Sequence, residues 1–170
     1  YQNHKYGVGD TAEYQAQVEA SSGGGSLSWF FNEWVYGPSM PTYRWSWSYA
    51  NTGGGYRLYL RLDQTQTNAP AFRMPIDLDV TTASGTTRYV IVDSLASEDF
   101  QIPLSGAPTA VVFDPENWVL KVVSTIAAID QDADGVPDRN DNCLSTANGS
   151  QTNTDGDALG DACDPDDDND

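Results

Sequence analysis

The sequence is poor in the residues from which most catalytic centres are built. Among 170 residues there is one histidine, His4, and there are two cysteines, Cys143 and Cys163. A catalytic zinc site needs three His, Glu or Cys ligands plus an open position, so His4 cannot build one and reads as a surface residue of the first segment. No histidine stands beside a serine, and no glycine-rich loop opens a helix in a way that would cradle phosphate. Positive charge is also scarce, with 8 Lys and Arg against 25 Asp and Glu and a net charge of -17. That balance argues against nucleic acid as a partner. Long apolar runs are missing as well: none approaches the ~18 residues of a membrane span, and no signal peptide opens the chain. Because it starts at Tyr1 without Met, the chain is expected to be a fragment or processed product whose targeting sequence lies upstream.

What the sequence has in excess is aspartate at its end. Residues 130–170 hold 13 Asp and one Arg, a net charge of -12, whereas residues 1–129 carry 12 acids against 7 Lys and Arg. The aspartates are regularly spaced. With Asp130 as position 1 of a loop, Asp132, Asp134, Asp138 and Asp141 fall at positions 3, 5, 9 and 12, Gly135 at 6 and Val136 at 7. That is nearly the EF-hand mask, in which alternating carboxylates and the position-7 carbonyl supply oxygens to calcium. Asp141 replaces the usual Glu, so the loop is expected to close differently. The mask recurs at Asn153, Asp155, Asp157, Leu159, Asp161 and Asp164, with Ala158 at position 6, and a third begins at Asp166, Asp168 and Asp170. The protein is therefore expected to continue past Asp170. Two complete loops imply about two or more calcium ions. Pro137, Pro165 and the lack of any 3.6-residue apolar period leave no room for flanking helices, which excludes paired EF-hands.

Residues 130–170 resemble thrombospondin type 3 repeats, through Asp130-x-Asp132-x-Asp134-Gly135, Asp141-Asn142-Cys143, Asn148, Gln151 and Asp155-Gly156-Asp157 through to Cys163-Asp164. The resemblance implies calcium wrapped by irregular loops and a disulfide between Cys143 and Cys163. Such a bridge would stabilise by about 3 kcal/mol through the unfolded chain and points to an oxidising, extracellular setting. Asn148-Gly-Ser is also a glycosylation sequon, but the repeat's own Asn accounts for it. The alternative is an acidic solvating tail, which needs neither fixed spacing nor cysteines. Either way, without calcium the segment is expected to be largely unfolded.

All five Trp, nine Tyr and five Phe precede residue 120, which puts the core in the body of the chain. There the period is two: Tyr43, Trp45, Trp47 and Tyr49 alternate with polar residues, as do Tyr56, Leu58, Leu60 and Leu62, with a turn at 51–55 between. Further strands are expected at 72–80, 88–93, 100–104, 110–113 and 118–123, which suggests an immunoglobulin-like β-sandwich over 42–124. The aromatic strand is expected to serve the core rather than a carbohydrate-binding face. Ahead of the sandwich, Asp10-Thr-Ala-Glu13 reads as a capping box opening a helix to about Ala20. Ser26 is expected to cap a second helix over 27–35, whose apolar face of Leu27, Phe30, Phe31 and Trp34 needs a partner, by default the sandwich. Glu13, Glu19, Glu33, Glu98, Asp99 and Glu116 read as caps, turns and solvated faces, with Glu98 and Asp99 a loop pair.

Leu27-Ser-Trp29-Phe30-Phe31-Asn-Glu-Trp34, Gly37-Pro38-x-x-Pro41, Phe72-Arg-Met74-Pro75 and Val112-Phe113-Asp114-Pro115-Glu-Asn-Trp118 also resemble, in their order, the C-terminal part of aminopeptidase N family zinc peptidases. The resemblance covers about residues 1–123. It implies that residues 1–41 end a helical catalytic domain and that the H-E-x-x-H zinc helix lies upstream. On this expectation the chain is the noncatalytic C-terminal region of a secreted or surface peptidase, with repeats over 125–170 as an extension. The other expectation is a calcium-dependent adhesive or self-assembling module that meets a cell surface or its own copies.

Overall fold

The computed structural model describes residues 9–168; His4 and Asp170 lie outside the described residues. Helix α1 (Thr11–Ser21) starts at the expected capping box, in which Asp10 Oδ1 accepts from Glu13 N at 2.8 Å and Glu13 Oε2 from Asp10 N at 3.1 Å. None of its residues is buried. It is held at its far end, where Glu19 Oε1 accepts from Leu27 N at 2.7 Å.

The second helix is shorter than the apolar spacing predicts. A single turn, α2 (Ser28–Phe30), widens at once into a π turn over Phe31–Val35. Ser26 does contribute, its Oγ accepting from Ser28 N at 3.3 Å. Part of the apolar face finds the sandwich, the Trp34 ring lying 5.1 Å from that of Phe72, while buried Phe31 meets the Tyr14 ring of α1. Glu33 Oε2 accepts from Arg73 N at 2.8 Å, and the Arg73 guanidinium lies 5.2 Å from the Trp29 ring centre.

Seven strands follow: β1 (Thr42–Asn51), β2 (Tyr56–Gln64), β3 (Met74–Thr82), β4 (Gly85–Asp93), β5 (Ser97–Leu104), β6 (Pro108–Phe113) and β7 (Val122–Thr125). They form two open sheets, β5-β2-β1-β7 and β4-β3-β6. The β1–β2 hairpin pairs Trp45 with Leu62 and Asn51 with Tyr56, and its turn is tied by Asn51 Oδ1 accepting from Gly53 N. Gly53 has a φ of +79, which a side chain would make costly. One core lies between the sheets, with Tyr43, Leu58, Leu60 and Leu62 on one side and Ile76, Leu78 and Val80 on the other, all fully buried. Tyr43 and Trp45 are core residues, so most of the aromatic strand packs inward, and Tyr49 at its far end is exposed beside Tyr56. Each such aliphatic side chain contributes about 1.5–3 kcal/mol by leaving water.

Two expectations need correction. Residues 118–121 are not strand: Asp114, at φ +45, folds the chain into a turn by accepting from Trp118 N at 3.0 Å and Val119 N at 3.1 Å, and its buried carboxylate is ion-paired with Lys121. Pairing therefore resumes only at Val122, where β7 joins β1 in parallel. Nor are Glu98 and Asp99 a loop pair. They lie in β5, where Asp99 bridges Arg61 at 2.9 Å and Arg139 at 3.3 Å, and Glu98 accepts from Ser94 N and Leu95 N.

Candidate metal centre

Residues 126–168 contain no helix or strand, and their backbone is shaped by the aspartates themselves. In the first loop Asp130 Oδ1 accepts from Ala133 N, Asp132 Oδ1 from Asp134 N, Asp134 Oδ1 from Val136 N and Asp138 Oδ1 from Gln131 N. In the second loop Asn153 accepts from Gly156 N, Asp155 from Asp157 N, Asp157 from Leu159 N and Asp161 from Thr154 N. These are the same bonds between the same loop positions. Position 12 repeats as well, Asp141 accepting from Cys143 N and Asp164 from Asp166 N. So does the backbone closure, from Asp138 N to Ile129 O and from Asp161 N to Thr152 O. Side chains that cap nearby N–H groups are how Asp and Asn hold tight turns without a helix or sheet ladder.

The bonds turn carboxylates inward. Oxygens of Asp130, Asp132 and Asp134 lie within 4.8 Å of one another, and so do those of Asp155, Asp157 and Asp164. Asp132 Oδ2 is buried with no hydrogen-bond partner, a costly state for a carboxylate oxygen unless a cation faces it. The Asp132 carboxyl is held above its ordinary value, first by loss of water and then by the neighbouring Asp134, Asp141 and Asp130. This donor set fits a hard divalent cation, which takes carboxylate oxygens.

The remaining sequence-selected residues stand elsewhere. Asp138 and Asp161 close their loops onto position 2. Asp141 Oδ1 is engaged by Cys143 N and Gln151 Nε2, both at 2.8 Å. Asn153 spans its own loop, its Nδ2 donating to Asp157 O. Val136 has a fully buried side chain and Leu159 an exposed one. Asp166 and Asp168 are exposed. Cys143 and Cys163 form a disulfide with a Cα–Cα distance of 5.7 Å, and Cys143 is buried. Asn148, half-buried, is tied in by its N–H to Asp134 Oδ2 at 2.8 Å and by a side-chain contact with Asn142.

Residues 129–151 match the family model of the thrombospondin type 3 repeat. A comparison with curated proteins returned no match. Repeats of this type bind calcium, and the two Asp clusters are of the kind that can hold it. The repeat and the disulfide agree with an extracellular setting, and among the described residues no helix is long and apolar enough to cross a membrane.

Sequence reasoning passed over the residues that seat the first repeat on the sandwich. Gly135, at φ +96, lies so close to β1 that an added Cβ would stand 1.9 Å from Tyr49 O. Ala158, at the same position of the second loop, keeps out of the left-handed region. The glycine is therefore required by the contact with β1 and not by the loop alone. The available signal was that Gly135 and Arg139 occur in one loop and not in the other.

Proposed function

We propose that residues 129–168 bind structural calcium, about two ions, and that the chain is a noncatalytic calcium-ordered extracellular module. Asp130, Asp132 and Asp134 hold one ion and Asp155, Asp157 and Asp164 the other, with the carbonyls of Val136 and Leu159 as further donors. The observation that carries this reading is the buried, unpartnered Asp132 Oδ2 inside a loop whose hydrogen bonds are repeated 23 residues later. The ion neutralises carboxylates that otherwise repel, so binding and ordering are one equilibrium. The immunoglobulin-like arrangement fits the body, because β5-β2-β1 faces β4-β3-β6. Calorimetric titration of the oxidised chain with calcium tests the reading: saturable uptake of about two ions supports it, and no uptake at millimolar calcium refutes it.

A second reading makes the chain the C-terminal region of an aminopeptidase N family zinc peptidase, with zinc only in an upstream domain. The packing of Trp34 onto the sandwich favours it, since a helical end followed by a sandwich is the order of the resemblance. An upstream H-E-x-x-H in the same reading frame would support it, and a complete reading frame without one would refute it.

A further inference from the structure

Part of the outer face of β1 and β2, around Ala50 and Tyr59, is not a solvent face. Ala50 and Tyr59 are only 1% and 4% exposed and form, with fully buried Val136, an apolar cluster separate from the core. The residues covering them come from the first repeat or lie just after it. Gly135 packs on the Tyr49 carbonyl, Gly149 lies against Ala50, and Arg139 Nη1 reaches Asp99 Oδ1 at 3.3 Å. The second loop makes no comparable contact with the sheet: Ala158 and Leu159, at the positions of Gly135 and Val136, are both exposed. One loop is built to dock and the other to stand in water.

The docking residues hang on the metal cluster. Gly135 N donates to Asp130 Oδ2 at 2.9 Å, and Val136 N donates to Asp134 Oδ1 at 2.7 Å. The same two aspartates belong to the carboxylate triad, so whatever fixes the triad also fixes the two residues that touch β1 and β2. Under the cover a cleft of about 380 Å³ remains, walled by Arg44, Arg61, Asp63 and Asp99 on the sheet and by Ile126 and Asp138 above. Ile126 is held to β1 by its N–H to Trp45 O at 2.8 Å, whereas Asp138 belongs to the loop and leaves the wall with it.

We propose that the first repeat is a calcium-dependent cover over the outer face of β1 and β2. Calcium sets the loop that presents Gly135 and Val136, and loss of the ion uncovers Ala50, Tyr59 and the cleft. This rests on the calcium reading above. In Ala50→Cys, with the Cys143–Cys163 disulfide kept oxidised, the single thiol reports on the cover. A water-soluble maleimide is expected to label it at least tenfold faster in chelator than in saturating calcium. Equal labelling rates in a chain that calorimetry shows to take up calcium would overturn the cover and leave the calcium reading standing. No calcium uptake would overturn both. A second pair of variants reads the coupling from the other side. Val136→Ser is expected to weaken calcium binding about tenfold with far-UV circular dichroism unchanged, a usual size for coupled sites, whereas Leu144→Ser, at an exposed position outside both loops, leaves it unchanged. Equal effects of the two substitutions would overturn the proposal.

Discussion

Asp93, at the end of β4, should make the sandwich less stable as pH rises towards neutrality. Its side chain is fully buried, Oδ2 accepts from Gln64 Nε2 at 2.6 Å, and Oδ1 has no partner. Burial first, and then the neighbouring Glu98, push this carboxyl up to about 7, while Gln64 and Tyr43 pull the other way. In the unfolded chain it returns to the usual value of about 3.9. Between about pH 4 and pH 7 the folded protein therefore keeps a proton that the unfolded chain has released. Stability falls with rising pH across that window and levels off above it. At about 1.4 kcal/mol per pKa unit, the gap sets a ceiling of roughly 4 kcal/mol. Asp93→Asn removes the charge and keeps an oxygen for Gln64. The variant should match the parent near pH 4 and exceed it by roughly 2–4 kcal/mol at pH 8. Guanidinium unfolding followed by Trp fluorescence, at fixed calcium from pH 4.5 to 8.5, measures the difference, which cancels the titration of the aspartate tail. A difference that is flat with pH, or that grows as pH falls, would refute the reasoning.

Lys121→Met leaves the buried Asp114 carboxylate without its cation, and equilibrium unfolding should show a loss of about 3–5 kcal/mol. Ala133 sits at φ +64, where the second loop has Gly156. Ala133→Gly should therefore stabilise the loaded repeat by roughly 1 kcal/mol, read as a rise in the calcium-saturated melting temperature. Replacing both Cys143 and Cys163 by Ser opens a link spanning 20 residues and should cost about 3 kcal/mol, seen as chelator-like protease sensitivity at a calcium concentration that protects the parent. Chelation of the parent should make residues 130–168 protease-sensitive and leave the sandwich resistant; loss of protection throughout the chain would refute independent cores.

What could be read from the sequence was what local periodicity encodes. The alternation over Tyr43–Tyr49 and Tyr56–Leu62, with the turn between, gave the hairpin, and the Asp10–Glu13 spacing gave the helix cap. The Asp spacing marked the two loops because each carboxylate bonds a backbone N–H only two or three residues on, or in the closing bond seven residues back. What remained hidden depends on partners distant in sequence. The period-two pattern assigns Tyr59 to the solvent face, yet it is buried, because Val136, 77 residues later, lies over it. The final strand was misplaced by its apolar composition: Trp118 and Leu120 look like strand residues, but Asp114 captures the backbone there and leaves both side chains exposed. The helix over 27–35 was visible as an apolar stripe, and its widening into a π turn was not.

The cover also raises a question of force, because its residues 130–149, with five Asp against one Arg, lie over a face that carries Arg44, Arg57 and Arg61. Were Coulomb attraction to hold it, calcium would loosen the contact by cancelling tail charge. The pairings argue otherwise. Arg44 is engaged by Asp63 at 3.2 Å, and Arg61 by Asp63 at 2.8 Å and Asp99 at 2.9 Å, so the body's own carboxylates neutralise most of that face. Among the described residues the one ion pair between the tail and the body has the opposite polarity, with Arg139 on the tail and Asp99 on the strand, and both side chains are too exposed for it to contribute more than about 1 kcal/mol. The contact that remains is one of shape and apolar burial, Val136 on Tyr59 and Ala50. Protection of the Ala50→Cys thiol in saturating calcium should therefore hardly change between 0.05 and 0.5 M salt, although the screening length falls from about 14 to about 4 Å. Protection that fades with salt, or that appears at low salt without calcium, would make the seat electrostatic and the loop's geometry secondary.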